Sequence, residues 1–388
     1  MNQNEIIESS LKKLEQYIMN ESYRGYDPYD ALTSPLFAFP ILRSNTFIRL
    51  ASQQVLKRMP LNIRPLLGIK KGYNPVTLGL ALQAIAHQIQ ASPERSKALK
   101  VEGDRLVVEI EKSASKGYSG HCWGYDFDWQ ARYATIPAYC PTIVATGFVT
   151  NALFSYYEAT HHARAFELCR SAVEFVLSDL HRTQENETFC FSYSPKDAQV
   201  VYNATLKGAR LLSQVFSVTR TAALLREAKK TVQFVVNHQN ASGSWAYAYG
   251  DKRTWADNFH TGYILDCLES YAALTGDHEY GEALGRGVQY FLDSFFVDNR
   301  VPKYYNAKTY PIDSTAVAQS ILTLARFGKL DTAVNVTLWS IENMQSSEGF
   351  FYYQKNKFYT NKISYMRWSN AWMLVALTYL LMRRNVLV

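Results

Sequence analysis

An aromatic residue recurs at Trp123, Phe191, Trp245, Tyr304 and Phe351, about 57 residues apart on average, each followed by a polar loop and a stretch rich in small residues. Repetition at that length marks one supersecondary unit copied along the chain, because a single copy cannot bury its apolar face and must stack on its neighbours. The unit reads as a helical hairpin. In a ring of hairpins, polar side chains far apart in sequence converge at the end that collects the long loops.

Hydrophobic periodicity sorts the helices into two kinds. From His162 to Leu180, the residues Phe166, Cys169, Val173, Val176, Leu177 and Leu180 recur at three- and four-residue intervals among Arg164, Glu167, Arg170 and Glu174, which predicts an outer helix with one wet face. Thr142 to Tyr157 carries no charge, and its Ala, Gly, Thr and Ser admit neighbours on every side, which predicts an inner helix. The inner character repeats at Asn74 to Gln88, Tyr202 to Val215, Asn258 to Leu274, Asp313 to Phe327 and Ser369 to Leu381. Outer stretches lie between them at Ser92 to Glu111, His162 to Leu180, Ala222 to His238, His278 to Phe296 and Asp331 to Met344, and the N-terminal segment supplies a sixth. The expected fold is therefore all-α, an (α/α)6 toroid forming a single domain over residues 1–388, with segment 1–60 packing as outer helices. Val101 to Glu111 alternates apolar and polar residues and also reads as a short rim strand.

Composition narrows the partners. Tyr (27) outnumbers Phe (20), an excess suited to walls that are apolar behind and hydrogen-bonding in front. The formal charge of +7 comes without a run of Lys or Arg, so no nucleic-acid footprint is expected, and a mildly anionic substrate is compatible with it. Cys122, Cys140, Cys169, Cys190 and Cys267 form no CxxC pair and are odd in number, which signals neither a disulfide framework nor a thiolate metal site. The apolar run Ala371 to Met382 is too short to span a bilayer, and Met1 to Tyr17 lacks the apolar core of a signal peptide. The expectation is a cytoplasmic protein with no transmembrane segment. No HExxH, EF-hand loop, Walker sequence or GxGxxG is present, so no metal and no cofactor is expected.

The long connections all precede inner helices, so they gather at one mouth, where helix N-termini offer unpaired N–H groups. The densest polar cluster is His121 to Arg132 (HCWGYDFDWQAR). It offers Asp126 and Asp128 as acids, and His121, Trp123, Tyr125, Trp129 and Arg132 as binding groups, the mixture of aromatic planes and carboxylates that suits a sugar. A second cluster, Trp255 to Tyr263 (WADNFHTGY), places Asp257 as a helix cap and His260 and Tyr263 on one face, as a general base and a phenol proton donor. Tyr202, Asn203, Asp313, Arg367 and Trp368 complete the rim. Helix capping and wall packing explain the same residues without chemistry.

Gln239 to Trp245 (QNASGSW) and Gln345 to Phe351 (QSSEGFF) resemble the QxxxGxW repeats of squalene-hopene and related terpenoid cyclases, and Ile312 to Ala316 (IDSTA) resembles part of their DxDDTA acid motif. Pro311 and Ser314 replace its flanking carboxylates. More of the chain is similar to a family of bacterial proteins encoded in capsule, exopolysaccharide and O-antigen clusters. The segments carrying that resemblance are YDPYDALTSPLF at 26–37, RPLLGIKKGYNP at 64–75, CWGYDFDWQARY at 122–133, PTIVATGFVTNAL at 141–153 and DNFHTGYILDCL at 257–268. It implies the (α/α)6 toroid that many glycoside hydrolases, polysaccharide lyases and sugar epimerases share, and it certifies no catalytic residue.

The expected function is action on an oligosaccharide or polysaccharide in surface-polysaccharide biosynthesis. Hydrolysis would pair Asp126 or Asp128 with Asp257 or Asp313 across the glycosidic bond. Elimination or epimerisation would use His260 and Tyr263, with Arg132 or Arg367 neutralising a uronate carboxylate. A terpenoid cyclase-like enzyme and a non-catalytic glycan-binding module are the alternatives, the first requiring a mostly apolar cavity and the second acids that serve only as caps.

Overall fold

The computed structural model describes residues 2–92, 94, 96–130, 135–251 and 255–385. Six inner helices, α4 (Pro75–Ala91), α6 (Ile143–Thr160), α8 (Tyr202–Thr219), α10 (Asn258–Thr275), α12 (Ser314–Arg326) and α14 (Trp372–Asn385), each pack on the next, and α14 packs back on α4. The ring is closed. The outer positions are filled by α5 (Ser96–Lys112), α7 (Ala163–Ser178), α9 (Ala222–Asn237), α11 (Gly281–Ser294) and α13 (Leu330–Met344), each against its own inner helix, and by α1 (Gln3–Asn20), which packs on α13 and α14. The fold is an (α/α)6 toroid.

Local chemistry explains the two layers. In α9 the buried positions Leu224, Ala228, Thr231, Val232 and Val235 follow a three-and-four spacing, so one face meets the core and the other meets water. In α6 nearly every side chain from Ile143 to Leu153 is buried. A Cβ on Gly147 would stand 2.5 Å from the Cβ of Lys207 on α8, so only glycine lets these two helices approach so closely. Inner helices α4, α6, α10 and α12 start with side-chain caps from Asn74, Thr142, Asp257 and Asp313, which satisfy first-turn N–H groups that would otherwise face the mouth unpaired.

The recurring aromatics pin the repeats. Trp123 and Trp245 are buried and donate their indole N–H to the carbonyls of Ile110 and Val235 at the ends of α5 and α9. The glutamines of the two Q-to-aromatic motifs do equivalent work, Gln239 donating to the carbonyls of Gly243 and Ala283, and Gln345 to those of Gly349 and Ser10. In this chain the spacing shared with terpenoid cyclases thus closes the turn after an outer helix and ties it to the next repeat.

Two expectations need correction. Val101 to Glu111 is helical within α5, because its buried residues Gly103, Leu106, Val107 and Ile110 fall at the three- and four-residue spacing of one helix face and not at alternate positions. Of the N-terminal sixty residues, α1 takes an outer position, whereas α3 (Thr46–Arg58) lies at the rim against the turn Asp30–Thr33 and strand β1 (Trp129–Gln130). Its polar residues account for this: Arg49 pairs with Asp128 at 3.5 Å, and the Gln53 side-chain Oε1 accepts from the Gln130 backbone N–H. Short antiparallel pairs decorate the loops, β1 with β2 (Thr135–Ile136), β3 (Arg182–Glu185) with β4 (Thr188–Phe191), β5 (Phe296–Val297) with β6 (Val301–Pro302), and a β7 (Ile312–Asp313), β8 (Tyr352–Lys355), β9 (Thr360–Ser364) sheet.

Candidate active site

At the mouth a cavity of about 250 Å³ opens among the starts of the inner helices. Its wall is aromatic, with Tyr29, Tyr125, Phe127, Trp129, Tyr193 and Tyr247 among the rings, and its polar groups are Asn203, Asp257, His260, Thr315 and Arg367. Backbone alternation builds much of this wall. In an extended segment successive side chains point to opposite sides. Trp123, Phe191 and Trp245 plug the core, and the tyrosine two residues later (Tyr125, Tyr193, Tyr247) lines the cavity. In the loop leading into β1, Tyr125, Phe127 and Trp129 line it and Asp126 and Asp128 do not.

Asp257 and His260 form a hydrogen-bonded pair on the cavity wall. One Asp257 oxygen accepts from the His260 backbone N–H at 2.8 Å, capping α10, and the other lies 2.6 Å from His260 Nδ1. The carboxylate therefore holds the ring in a single orientation and leaves Nε2 as the nitrogen for a ligand. Tyr263, one turn along, packs edge-on to His260 with ring centroids 6.1 Å apart. Burial above all holds the Tyr263 phenol well above its usual pKa, so it stays protonated and can donate.

Arg367 supplies the opposite charge. Its Nε and Nη2 bind the two oxygens of Asp27 at 2.6 and 2.9 Å, and the guanidinium lies 4.7 Å over the Tyr125 ring. A bidentate pair with a stacked plane fixes a guanidinium with little rotational freedom. Beneath the floor, Lys207 is fully buried, its Nζ 3.9 Å from the Tyr263 ring centroid and 4.1 Å from that of Phe148, with no hydrogen-bond partner among the described residues. Burial pushes its pKa down to about 7.

The other expected residues divide between this cavity and other places. Asn203, Trp255 and Trp368 line the cavity. Asp126 faces a separate cleft of about 370 Å³ that shares only Phe127 and Arg367 with the cavity; it accepts from Asn74 at 2.6 Å, and burial raises its pKa. Asp128 is occupied by Arg49 and by the Ala138 N–H. Asp313 has no exposure: it lies behind Trp368, accepting from that indole, from Gln354 and from the Thr315 N–H, and burial pushes its pKa up to about 6. His121 packs toward the outer layer on Ser171, Trp123 is a core plug, and Tyr202 stacks on His238 away from the cavity. Arg132 lies outside the described residues.

Sequence reading missed Asp27, which orients Arg367, and the wall residues Tyr29, Tyr193, Tyr247, Tyr304 and Trp372. A signal existed. Tyr26-Asp27 repeats the Tyr-Asp step of Tyr125-Asp126, and an aromatic-x-Tyr step occurs at four of the five aromatic signposts, at three of which the tyrosine lines this wall.

The sequence matches no protein-family model and no curated protein. Solved structures share its fold. The chain is similar to the cellobiose 2-epimerase of Bacillus thermoamylovorans (TM-score 0.64, 13% identity, covering 80% of this chain and 88% of that one). It is also similar to a family 76 α-mannanase of Bacteroides thetaiotaomicron (TM-score 0.61, 12% identity, 80% and 87% covered). The Lin0763 protein of Listeria innocua matches over nearly the whole length (TM-score 0.60, 10% identity, 98% and 97% covered). At such identities the likeness establishes the toroid and leaves the reaction to the side chains of the site.

Proposed function

We propose that the protein is a carbohydrate-active enzyme that moves a proton on a sugar, in the manner of an epimerase or isomerase. The observation that carries this reading is the Asp257–His260 pair and the clamped Arg367 on the wall of one small aromatic cavity. His260 Nε2 would take a proton from the carbon beside a carbonyl or carboxylate, Arg367 would hold the negative charge that develops on oxygen, and the aromatic planes would stack on the ring. Tyr263, protonated and on the same wall, would return a proton.

Hydrolysis needs two carboxyl groups facing one bond. Only Asp257 of the expected acids lines the cavity, and both of its oxygens are engaged. A terpenoid cyclase would need its acid in the cavity, and Asp313 is sealed behind Trp368. Neighbours of the same fold include a cellobiose 2-epimerase, which supports the sugar reading. The substrate is an oligosaccharide, with or without a uronate, of surface-polysaccharide biosynthesis, as the resemblance of the segments around Tyr26, Tyr125 and His260 suggests. Five buried thiols without disulfide partners suit a reducing compartment, the cytoplasm.

Incubation of glycans and sugar acids in heavy water tests it. Turnover should place deuterium at one ring carbon, and His260→Asn should slow that exchange by ~10² to 10⁴. Cleavage carrying oxygen from labelled water, with no carbon-bound deuterium, would replace the reading with hydrolysis.

A further inference from the structure

Helix α3 is amphipathic in the inverted sense. Its buried residues are Arg49, Gln53 and Leu56, whereas Phe47 is 77% exposed and Val55 also faces water. The preceding helix α2 (Pro40–Ser44) and the flanking turns continue that face with Phe39, Ile41 (80% exposed), Leu61 and Leu66. Beside it stands the β8–β9 hairpin, tied to the end of α3 by the Asn361 amide donating to the Met59 carbonyl, with Phe358 at its tip 89% exposed. Monomeric soluble surfaces seldom carry so many large exposed apolar side chains in one region, and such patches mark interaction sites.

Charge identifies the occupant. No Asp or Glu occurs between Asp30 and Glu94, and none follows Glu348, while Arg43, Arg58 and Lys70 on the first segment and Lys357 and Lys362 on the hairpin are exposed cations. Exposed apolar side chains flanked by cations, with Asp128 paired to Arg49 on the buried side of α3, suit the interface of an anionic bilayer, where rings enter the headgroup boundary and basic groups meet phosphates. A second copy of this chain fits poorly, because a two-fold interface would set this face against itself, cation against cation. No helix among the described residues is long and apolar enough to cross a membrane, so contact would be peripheral.

We propose that α2, α3 and the β8–β9 hairpin tip form a docking face for an anionic lipid surface. The face adjoins the site. Lys57 of α3 donates to the Tyr29 hydroxyl and lies 5.6 Å from the Trp368 ring, and both of those residues line the cavity. Docking would present the mouth to the bilayer and so favour glycans carried on a lipid. The inference does not depend on the reaction, since binding is measured without turnover.

Flotation of the full chain with vesicles tests it. The protein should float with equimolar phosphatidylglycerol and phosphatidylcholine, float poorly with phosphatidylcholine alone, and be released by high salt. Ile41→Ser with Phe47→Ser should lower partitioning at least about tenfold, and Arg43→Glu with Arg58→Glu should do the same, while Val101→Ser with Val218→Ser, exposed on other faces, should not. Absence of flotation, or equal flotation with neutral vesicles, overturns the proposal. So does a dimer in sedimentation that Ile41→Ser with Phe47→Ser converts to monomer while vesicles stay unbound, which would make the occupant a second copy.

Discussion

Replacing Lys207 by Met should stabilise the protein, and by an amount that depends on pH. The lysine is sealed under the cavity floor without a hydrogen-bond partner among the described residues, and its pKa falls from 10.5 unfolded to about 7 folded. The unfolded chain therefore binds the proton more tightly, so stability rises with pH between about 7 and 10.5, and the penalty is fully present below that window. The shift of 10.5 − 7 = 3.5 units corresponds to about 5 kcal/mol at ~1.36 kcal/mol per unit. The faces of Phe148 and Tyr263, 4.1 and 3.9 Å from Nζ, favour the ammonium by ~1 to 2 kcal/mol each. A gain of a few kcal/mol for Lys207→Met at pH 6 follows, at most the ~5 kcal/mol set by the shift, and it shrinks as pH rises toward 10.5. Urea unfolding of both proteins at pH 6 and pH 10 reads the difference directly, with other titrating groups cancelling between them. A difference that does not change with pH, or a Met variant less stable at pH 6, would refute the reasoning and give the buried amine a paired, charged role.

Asp27→Asn leaves the Arg367 guanidinium buried beside a neutral amide, and should lower unfolding free energy by about 3 to 5 kcal/mol; the double variant with Arg367→Met should lose less than the sum, read by the same denaturation. Trp245→Phe removes the donor to the Val235 carbonyl from the core and should destabilise by ~1 to 3 kcal/mol, while glycan affinity measured by calorimetry stays nearly unchanged because the indole does not line the cavity.

The alternation of charge-poor, small-residue-rich stretches with amphipathic ones determined the toroid from the sequence alone. Helix periodicity is a local property, and six such pairs have few other ways to bury their faces. The chemistry-bearing clusters were equally visible, and Asp257, His260, Tyr263 and Arg367 reach one cavity from α10 and from the turn before α14. Only the tertiary structure decided which members of each cluster face inward. Tyr125 and Asp126 are adjacent in sequence, yet the path of the loop sends one to the cavity and the other to a separate cleft. Asp313 was legible as an acid, but the sheet and Trp368 that seal it come from residues 352–368. The anchoring of Arg367 by Asp27 spans 340 positions and closes the ring's first segment on its last. No local pattern encodes that contact, because it exists only once the toroid has closed.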